Sequence, residues 1–262
     1  MLDPIALGAF EGGESVGFVA AAGRAANIGE LYLASFLAVR PGTTSMLAVS
    51  LQRQHIRAIV QRLGKPLLAF THLGSAGDHL LRSCNLSGVR RIPLGEYRVH
   101  AAVPRKDFSG VRIEQVSPEE WARAAKTFED ESLLSPKFNA ATIHHFAKDP
   151  AGRQFLVAMD GSTVAGIAMR AIAPTVTAKG VENFPVLHYI RLLDGHAEGL
   201  KALLWHAKDP AIPIVTVSNT VRIEPATAKA AGLRSTGSVF TSYLFSTDER
   251  MPLFPGTEFE IV

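Results

Sequence analysis

The feature that most restricts how this chain folds is an internal repeat. Residues 9–18 lie over residues 158–167 at a constant offset of 149, each stretch holding an acidic residue and a glycine between two apolar runs. The pairs Glu11-Gly12 and Asp160-Gly161 are hairpin-turn chemistry, because glycine reaches the positive φ that a tight turn needs. Further parallels follow in the same order. Runs 31–39 and 186–192 read as strands that end in a glycine-containing turn, and each turn opens a helix. The first helix is expected over 43–63, with Met46, Leu47, Ile56, Ile59, Val60 and Leu63 at helical spacing, and the second over 198–208, with Leu200, Leu203 and Leu204. Gly64 and Asp209-Pro210 stop them. Short strands at 66–71 and 213–218, helices at 78–84 and 226–231, and strand pairs at 89–103 and 238–245 complete the two copies, the offset having drifted only to 147.

The second copy has an extra front. Residues 111–116 read as a strand, and Ser117-Pro118-Glu119-Glu120 combines an N-cap serine, a proline at the first helical position and a glutamate three residues after the cap. That helix carries Trp121, Ala125 and Phe128, and another is expected over 140–148. Residues 104–110 read as a linker. The stretch after Asp248, with Pro252, Pro255 and Gly256, reads as a surface strap. The expected division is therefore 1–104, 105–248 and 249–262.

Composition narrows the class. Hydrophobic residues make up 47% of the 262 and include 14 Phe, which is incompatible with disorder. The single cysteine, Cys84, rules out an internal disulfide and any multi-cysteine metal site, and no metal is expected. Apolar runs such as 5–10 and 17–22 fall well below the roughly 18 residues of a membrane span. The start lacks a basic segment before an apolar one, so a cytoplasmic protein without a membrane partner is expected. The net charge of +3 is unevenly placed: residues 1–105 hold 11 Lys+Arg against 6 Asp+Glu, and residues 106–262 hold 16 against 18.

The order strand, two helices, hairpin, long strand, helix, strand, helix, closing strands over 111–245 resembles the GCN5-related N-acetyltransferase (GNAT) superfamily. Residues 155–167 resemble its second and third strands, and 227–234 its closing helix with Gly232-Leu233 at the end. Residues 5–103 resemble the same fold without its first strand and helices. The layout is similar to the tandem arrangement of mycothiol synthase and the Fem-type aminoacyl transferases. The resemblance implies an α/β (α+β) fold of tandem acyl-CoA N-acyltransferase-like domains, with mixed central sheets flanked by helices and a truncated N-terminal copy.

It also implies a cofactor, acetyl-CoA or another acyl-CoA, with its pyrophosphate at a helix N-terminus reached through a glycine turn. There, free N–H groups and the helix dipole favour an anion. In copy two the matching turn is Leu192, Gly195, His196, Ala197, Gly199 and Leu200, but Arg191 stands one residue too far from Gly195 for the family pattern, and Glu198 repels phosphate. In copy one it is Val39, Arg40, Gly42, Thr43, Thr44 and Ser45, which contains hydroxyls, an arginine and no acid. Asn219 matches a cofactor-side asparagine of the family, or forms an Asx turn. Direct transfer needs a base for the amine and a proton donor for the thiolate. The family's donor tyrosine is replaced by Ala228 in copy two and Leu81 in copy one, so either another group serves, with Tyr243 and Ser218 as candidates, or the chain does not acetylate in the usual manner; the candidate bases are His188 and Glu182. A strand histidine is also ordinary packing.

Two functional classes follow. One is an acyl-CoA-dependent N-acyltransferase, an N-acetyltransferase in its commonest form, acting on an amine of a small molecule, peptide or protein. The other is a degenerate tandem binding protein, or an aminoacyl-tRNA-using transferase, that recognises RNA through the arginine-rich first half, including Arg53 and Arg57. Other signals carry less. Gly13-Glu14-Ser15-Val16-Gly17 has the nucleophile-elbow pattern but too little chain before it to build the required sheet. The adjacent His144 and His145 point to different helix faces, unlike metal-binding histidines at i, i+4. There is no Walker A loop and no Gly-x-Gly-x-x-Gly.

Overall fold

A computed structural model of the chain describes residues 3–43, 45–148, 152–177 and 180–259. Strands β1 (Ile5–Glu11), β2 (Glu14–Ala26) and β3 (Gly29–Val39) form an antiparallel meander. They are followed by helix α1 (Ser45–Ile56), strand β4 (Leu67–His72), helix α2 (Ala76–Ser83) and strand β5 (Arg90–Ala102). The second half continues with β6 (Val111–Val116), α3 (Pro118–Lys126), α4 (Ala140–Ala147), β7 (Gln154–Asp160), β8 (Thr163–Thr177), β9 (Gly180–Leu192), α5 (Ala197–Ala207), β10 (Val215–Val217), α6 (Pro225–Ala230) and β11 (Arg234–Ser246).

The local signals work as their chemistry requires. Gly12, Gly13 and Gly161 take positive φ in the hairpin turns. Ser117 and Glu120 form a reciprocal capping box at α3, and Asn139 caps α4 through Thr142 N–H. Helix α1 is shorter than expected and runs on through a π-helical turn at Arg57–Arg62. Ile56, Ile59 and Val60 are in the core, while Met46 at the start of α1 and Leu63 after the π-helical turn are exposed.

All eleven strands join one sheet in the order β1-β2-β3-β4-β11-β5-β10-β9-β8-β7-β6. From either edge the pairing is antiparallel until a single parallel contact, β3 with β4 and β9 with β10, and then antiparallel to the centre. The segments expected as strand pairs, 89–103 and 238–245, are instead one long strand each, β5 and β11. They pair with each other from Arg234↔Ala101 to Ser246↔Arg90. β11 also pairs with β4 of the first half, and β5 with β10 of the second. Each half thus supplies the strand that closes the other, and a cut between residues 104 and 105 does not separate two sheets.

Four clusters of buried side chains pack on this sheet. Ile56, Ile59, Leu67, Leu81, Tyr243 and Phe245 form one with α1 and α2. Leu187, Leu200, Leu203, Leu204 and Val215 form another with α5. Trp121, Phe146, Phe155 and Tyr189 form the third with α3 and α4, Trp121 Nε1–H donating to the Ala168 carbonyl at 3.0 Å. The fourth overturns the expected surface strap. Met251, Phe254 and Phe259 pack with Leu31, Leu68, Leu94 and Leu244, and Phe259 is only 1% exposed. Each such side chain contributes about 1.5–3 kcal/mol. The prolines and glycine read as loop signals because the tail packs through three widely spaced apolar residues without regular structure. No helix among the described residues is long and apolar enough to cross a membrane.

Candidate functional site

In each half the two parallel strands part after two register pairs: Tyr32↔Leu67 and Leu33↔Leu68 in the first, Val186↔Thr216 and Leu187↔Val217 in the second. A register irregularity lies at that level on the outer side of the longer strand, opposite 34–36 in β3 and 188–191 in β9. An extra residue bends a strand and turns its edge away from its neighbour. At the second irregularity Tyr189 takes φ 50°, a left-handed conformation that costs a non-glycine residue on the order of 1 kcal/mol or more.

The two openings have different contents. In the first half the opening is a groove of about 860 Å³ between α1 and α2. Ala34, Leu37 and Val39 line it from β3, Ala69, Phe70 and Thr71 from β4, Gln52 from α1, and His79 and Leu81 from α2. Immediately beyond Val39, Arg40, Gly42 and Thr43 line a second cavity of about 560 Å³ with the tip of the first hairpin. Gly42 takes φ 87°, and the Thr43 hydroxyl donates to the Arg40 carbonyl at 2.6 Å. The first turn of α1 contains no acid. Arg40 is bound to Glu14 at 3.0 Å and lies 3.7 Å from Glu11, exposed pairs that hold it only loosely. Thr44 lies outside the described residues.

In the second half the corresponding places are filled by the protein itself. His196 accepts the Gly199 N–H at 3.1 Å through Nδ1, its Nε2 lies 3.1 Å from Asp160, and Glu198 stands in the first turn of α5. Gly195 has φ 70°, Leu192 is half-buried, Ala197 opens α5, and Leu200 is in the core. At the strand ends the tail enters. Asn219 donates to the Thr257 carbonyl at 2.9 Å and accepts Val221 N–H, so it is both an Asx turn and a tail anchor. Arg191 donates to Glu258 at 2.6 Å and to the Ala125 carbonyl at 3.0 Å, and Arg222 also contacts Glu258. Burial lowers both guanidiniums to about 10, which leaves them charged at neutral pH.

The side chains expected to share catalysis are not together. His188 is buried on β9, its Nδ1 3.1 Å from the Ser218 hydroxyl. Glu182 is exposed near the other end of β9, opposite Thr175. Tyr243 lies on β11 opposite Pro93, whereas β10, which runs beside the His188 segment, faces His100 of β5. The Tyr243 hydroxyl donates to Asp78 at 2.9 Å.

Sequence reading missed Asp78, although Ser75-x-x-Asp78 is a capping pattern and Ser75 does accept the Asp78 N–H. Burial pushes this carboxyl upward. Hydrogen bonds from Gly74 N–H, Arg82, Tyr243 and Thr241 outweigh that and hold it below the usual carboxylate range. It also missed the groove residues Gln52 and His79, which no motif marks.

The first-half arginines are largely occupied within the chain: Arg53 donates to the Asn85 carbonyl, Arg91 to the Leu81 carbonyl, and Arg90 to the Asp248 and Glu249 carbonyls. A cation-rich cleft of about 650 Å³, with Arg105, Lys201, Lys229 and Arg234, lies instead around α6. No cluster of metal-ligating side chains occurs among the described residues.

No family model matches the sequence, and no curated protein matches it. Solved structures do match in shape. The Eis1 protein of Mycobacterium abscessus is 14% identical over 93% of this chain and 65% of its own, with a TM-score of 0.50. A GCN5-related N-acetyltransferase from Kribbella flavida is 12% identical over 92% and 59%, at 0.56. Saccharomyces cerevisiae N-myristoyltransferase, solved with bound myristoyl-CoA, is 11% identical over 90% and 65%, at 0.61. The chain spans about three-fifths to two-thirds of the length of these proteins. The shared property is the fold, a mixed sheet flanked by helices.

Proposed function

We propose that this chain is an acyl-CoA-dependent N-acyltransferase, with the thioester held in the groove between α1 and α2 of the N-terminal half. The observation that carries this reading is the groove itself, an apolar slot over a strand splay that leads to a glycine turn and an acid-free helix start. Strand pairing between β3 and β4 stops at Leu33↔Leu68, so the facing edges beyond it offer backbone donors and acceptors to an extended arm. The 40–45 turn and the start of α1 suit the pyrophosphate, through N–H groups and the helix dipole. The second half, with His196 and Glu198 at its helix start and the tail at its strand ends, serves as scaffold. The tandem reading, a front-truncated copy followed by a complete one, is supported by the matching pairing order from the two sheet edges.

In direct transfer the acceptor nitrogen attacks the thioester carbonyl and gives up a proton to a base, the carbon–sulfur bond breaks, and the departing thiolate takes a proton. Leu81, in the groove wall, cannot give one. Among the groove-lining side chains His79 is the imidazole, and it is assigned that role. The acceptor is an amine of a small molecule or peptide.

The reading is tested by thermal denaturation with saturating acetyl-CoA and longer acyl-CoAs, followed by mass spectrometry of a panel of amines incubated with the best binder. Stabilisation of about 3 kcal/mol at a ligand concentration 100 times Kd is expected, with acyl transfer that falls about 100-fold in His79→Gln. No shift with any acyl-CoA contradicts the reading.

A further inference from the structure

The cation-rich cleft around α6 belongs to neither opening. It lies where β5 ends, at Ala102 and Val103, and where β10 is about to begin, at Ile214. β9 and β10 part beyond Val217, at the opposite end of that strand. Three separate segments bring positive charge to the cleft: Arg105 from the 104–110 linker, Lys229 from the last turn of α6, and Arg234 from the first position of β11. None of these three side chains makes a hydrogen bond or ion pair among the described residues, whereas Arg40, Lys65 and Arg82 each lie beside a carboxylate. The fourth cation, Lys201, is bound to Glu198 at 2.9 Å, and Asp107 is the one acid lining the cleft among the described residues. Like charges gathered on the walls of a cleft repel one another and focus a field that draws anions.

A second observation concerns what else lines it. Val103 is 64% exposed and Ile214 37%, and both face the same cleft as the three free cations. Single exposed apolar side chains are ordinary, but two that share a concave site with uncompensated charge suit a ligand of both characters. Three cations against one acid match the charge of a phosphate or diphosphate better than that of a single carboxylate, and the guanidinium fork fits phosphate oxygens. A cleft of about 650 Å³ has the size of a small-molecule site. Single-stranded nucleic acid is a poorer match, since no Phe, Tyr or Trp lines the cleft among the described residues to stack a base. We propose that this cleft binds a small organic diphosphate, its phosphates held by Arg105, Lys229 and Arg234 and its apolar body set against Val103 and Ile214. Such a site stands independently of the acyl-CoA reading.

Titration calorimetry of the full chain with inorganic pyrophosphate, ADP and dimethylallyl diphosphate tests it. At least one organic diphosphate should bind about tenfold more tightly than pyrophosphate, and which one does so identifies the body as nucleoside or hydrocarbon. The double variant Lys229→Gln, Arg234→Gln should weaken all three about 100-fold, the loss of two charge-assisted contacts. Arg105→Gln, expected to cost about tenfold, serves if the double variant does not fold. Coenzyme A should bind the double variant as it binds the unaltered chain. No binding to the unaltered chain, unchanged affinities in the variants, or no preference for either organic diphosphate over pyrophosphate overturns the site. Loss of coenzyme A binding in the double variant overturns it as a separate site, because the cofactor's own phosphates would then lie in the cleft. An RNA strand of about 12 nucleotides that binds more tightly than any diphosphate, and is lost in the double variant, reassigns the cleft to nucleic acid and overturns it as well.

Discussion

Two buried polar residues of the first half show opposite solutions to the same problem. Asp78 is 1% exposed and receives hydrogen bonds from Gly74 N–H, Arg82, Thr241 and Tyr243, so its charge is compensated within the fold. His55 is equally buried and has no partner among the described residues, so its charged form is suppressed instead. The consequence for stability has a definite sign. In the unfolded chain the imidazole titrates near 6.5, in the folded chain near 4, so between these values the unfolded state binds the additional proton. Its contribution is whole above about 6.5 and declines as the pH falls towards 4, amounting to a loss of about 2 kcal/mol between pH 7 and pH 5. Unfolding free energies from urea titration at the two pH values should therefore converge by that amount in His55→Leu relative to the unaltered chain. An unchanged pH dependence would show that His55 is protonated or paired in the folded state.

The elements that sequence reading located best are those specified by neighbours along the chain. Glu11-Gly12 and Asp160-Gly161 mark real hairpins, and Ser117 to Glu120 caps a real helix, because a turn or a cap involves only four or five consecutive residues. The turn at Gly42 belongs to this group, and its role can be tested directly. At φ 87° and with no atom within 4 Å of an added Cβ, Gly42→Ala meets no steric obstacle beyond the backbone itself. It should cost about 1 kcal/mol of stability and redirect the N–H groups of the turn. Coenzyme A and adenosine 3′,5′-bisphosphate should both bind more weakly to this variant, and unaltered affinities would remove the turn from the site. Strand partnership was not legible in the same way. β5 and β11 were visible as apolar segments, but nothing in their own residues says that each closes the opposite half, since that choice depends on contacts more than 130 residues apart in sequence. For the same reason the candidate site was legible only in part. The glycine turn after β3 could be read, whereas the meeting of Gln52 and His79 in one groove depends on how α1 and α2 pack over the splay.

The exchange of closing strands between the two halves makes the molecule one structural unit. The central strands of the continuous sheet come from both halves, and the tail crosses it, burying Phe254 and Phe259 against the first half while Glu258 meets Arg191 and Arg222 of the second. This asymmetry accounts for how the two openings differ: the C-terminal segment packs at one, and the other is left as a groove, with a glycine turn following the strand that lines it. The uneven charge of the sequence follows the same division only loosely, because many first-half arginines bind carbonyls and carboxylates of the chain itself. The central claim is that the first half holds the acyl carrier and the second half supports it. Difference electron density from crystals soaked with coenzyme A tests this most directly. The predicted result is an extended arm between α1 and α2 above the β3–β4 splay, with the pyrophosphate at Arg40 to Ser45. Density at the start of α5, between Gly195 and Gly199, would contradict it.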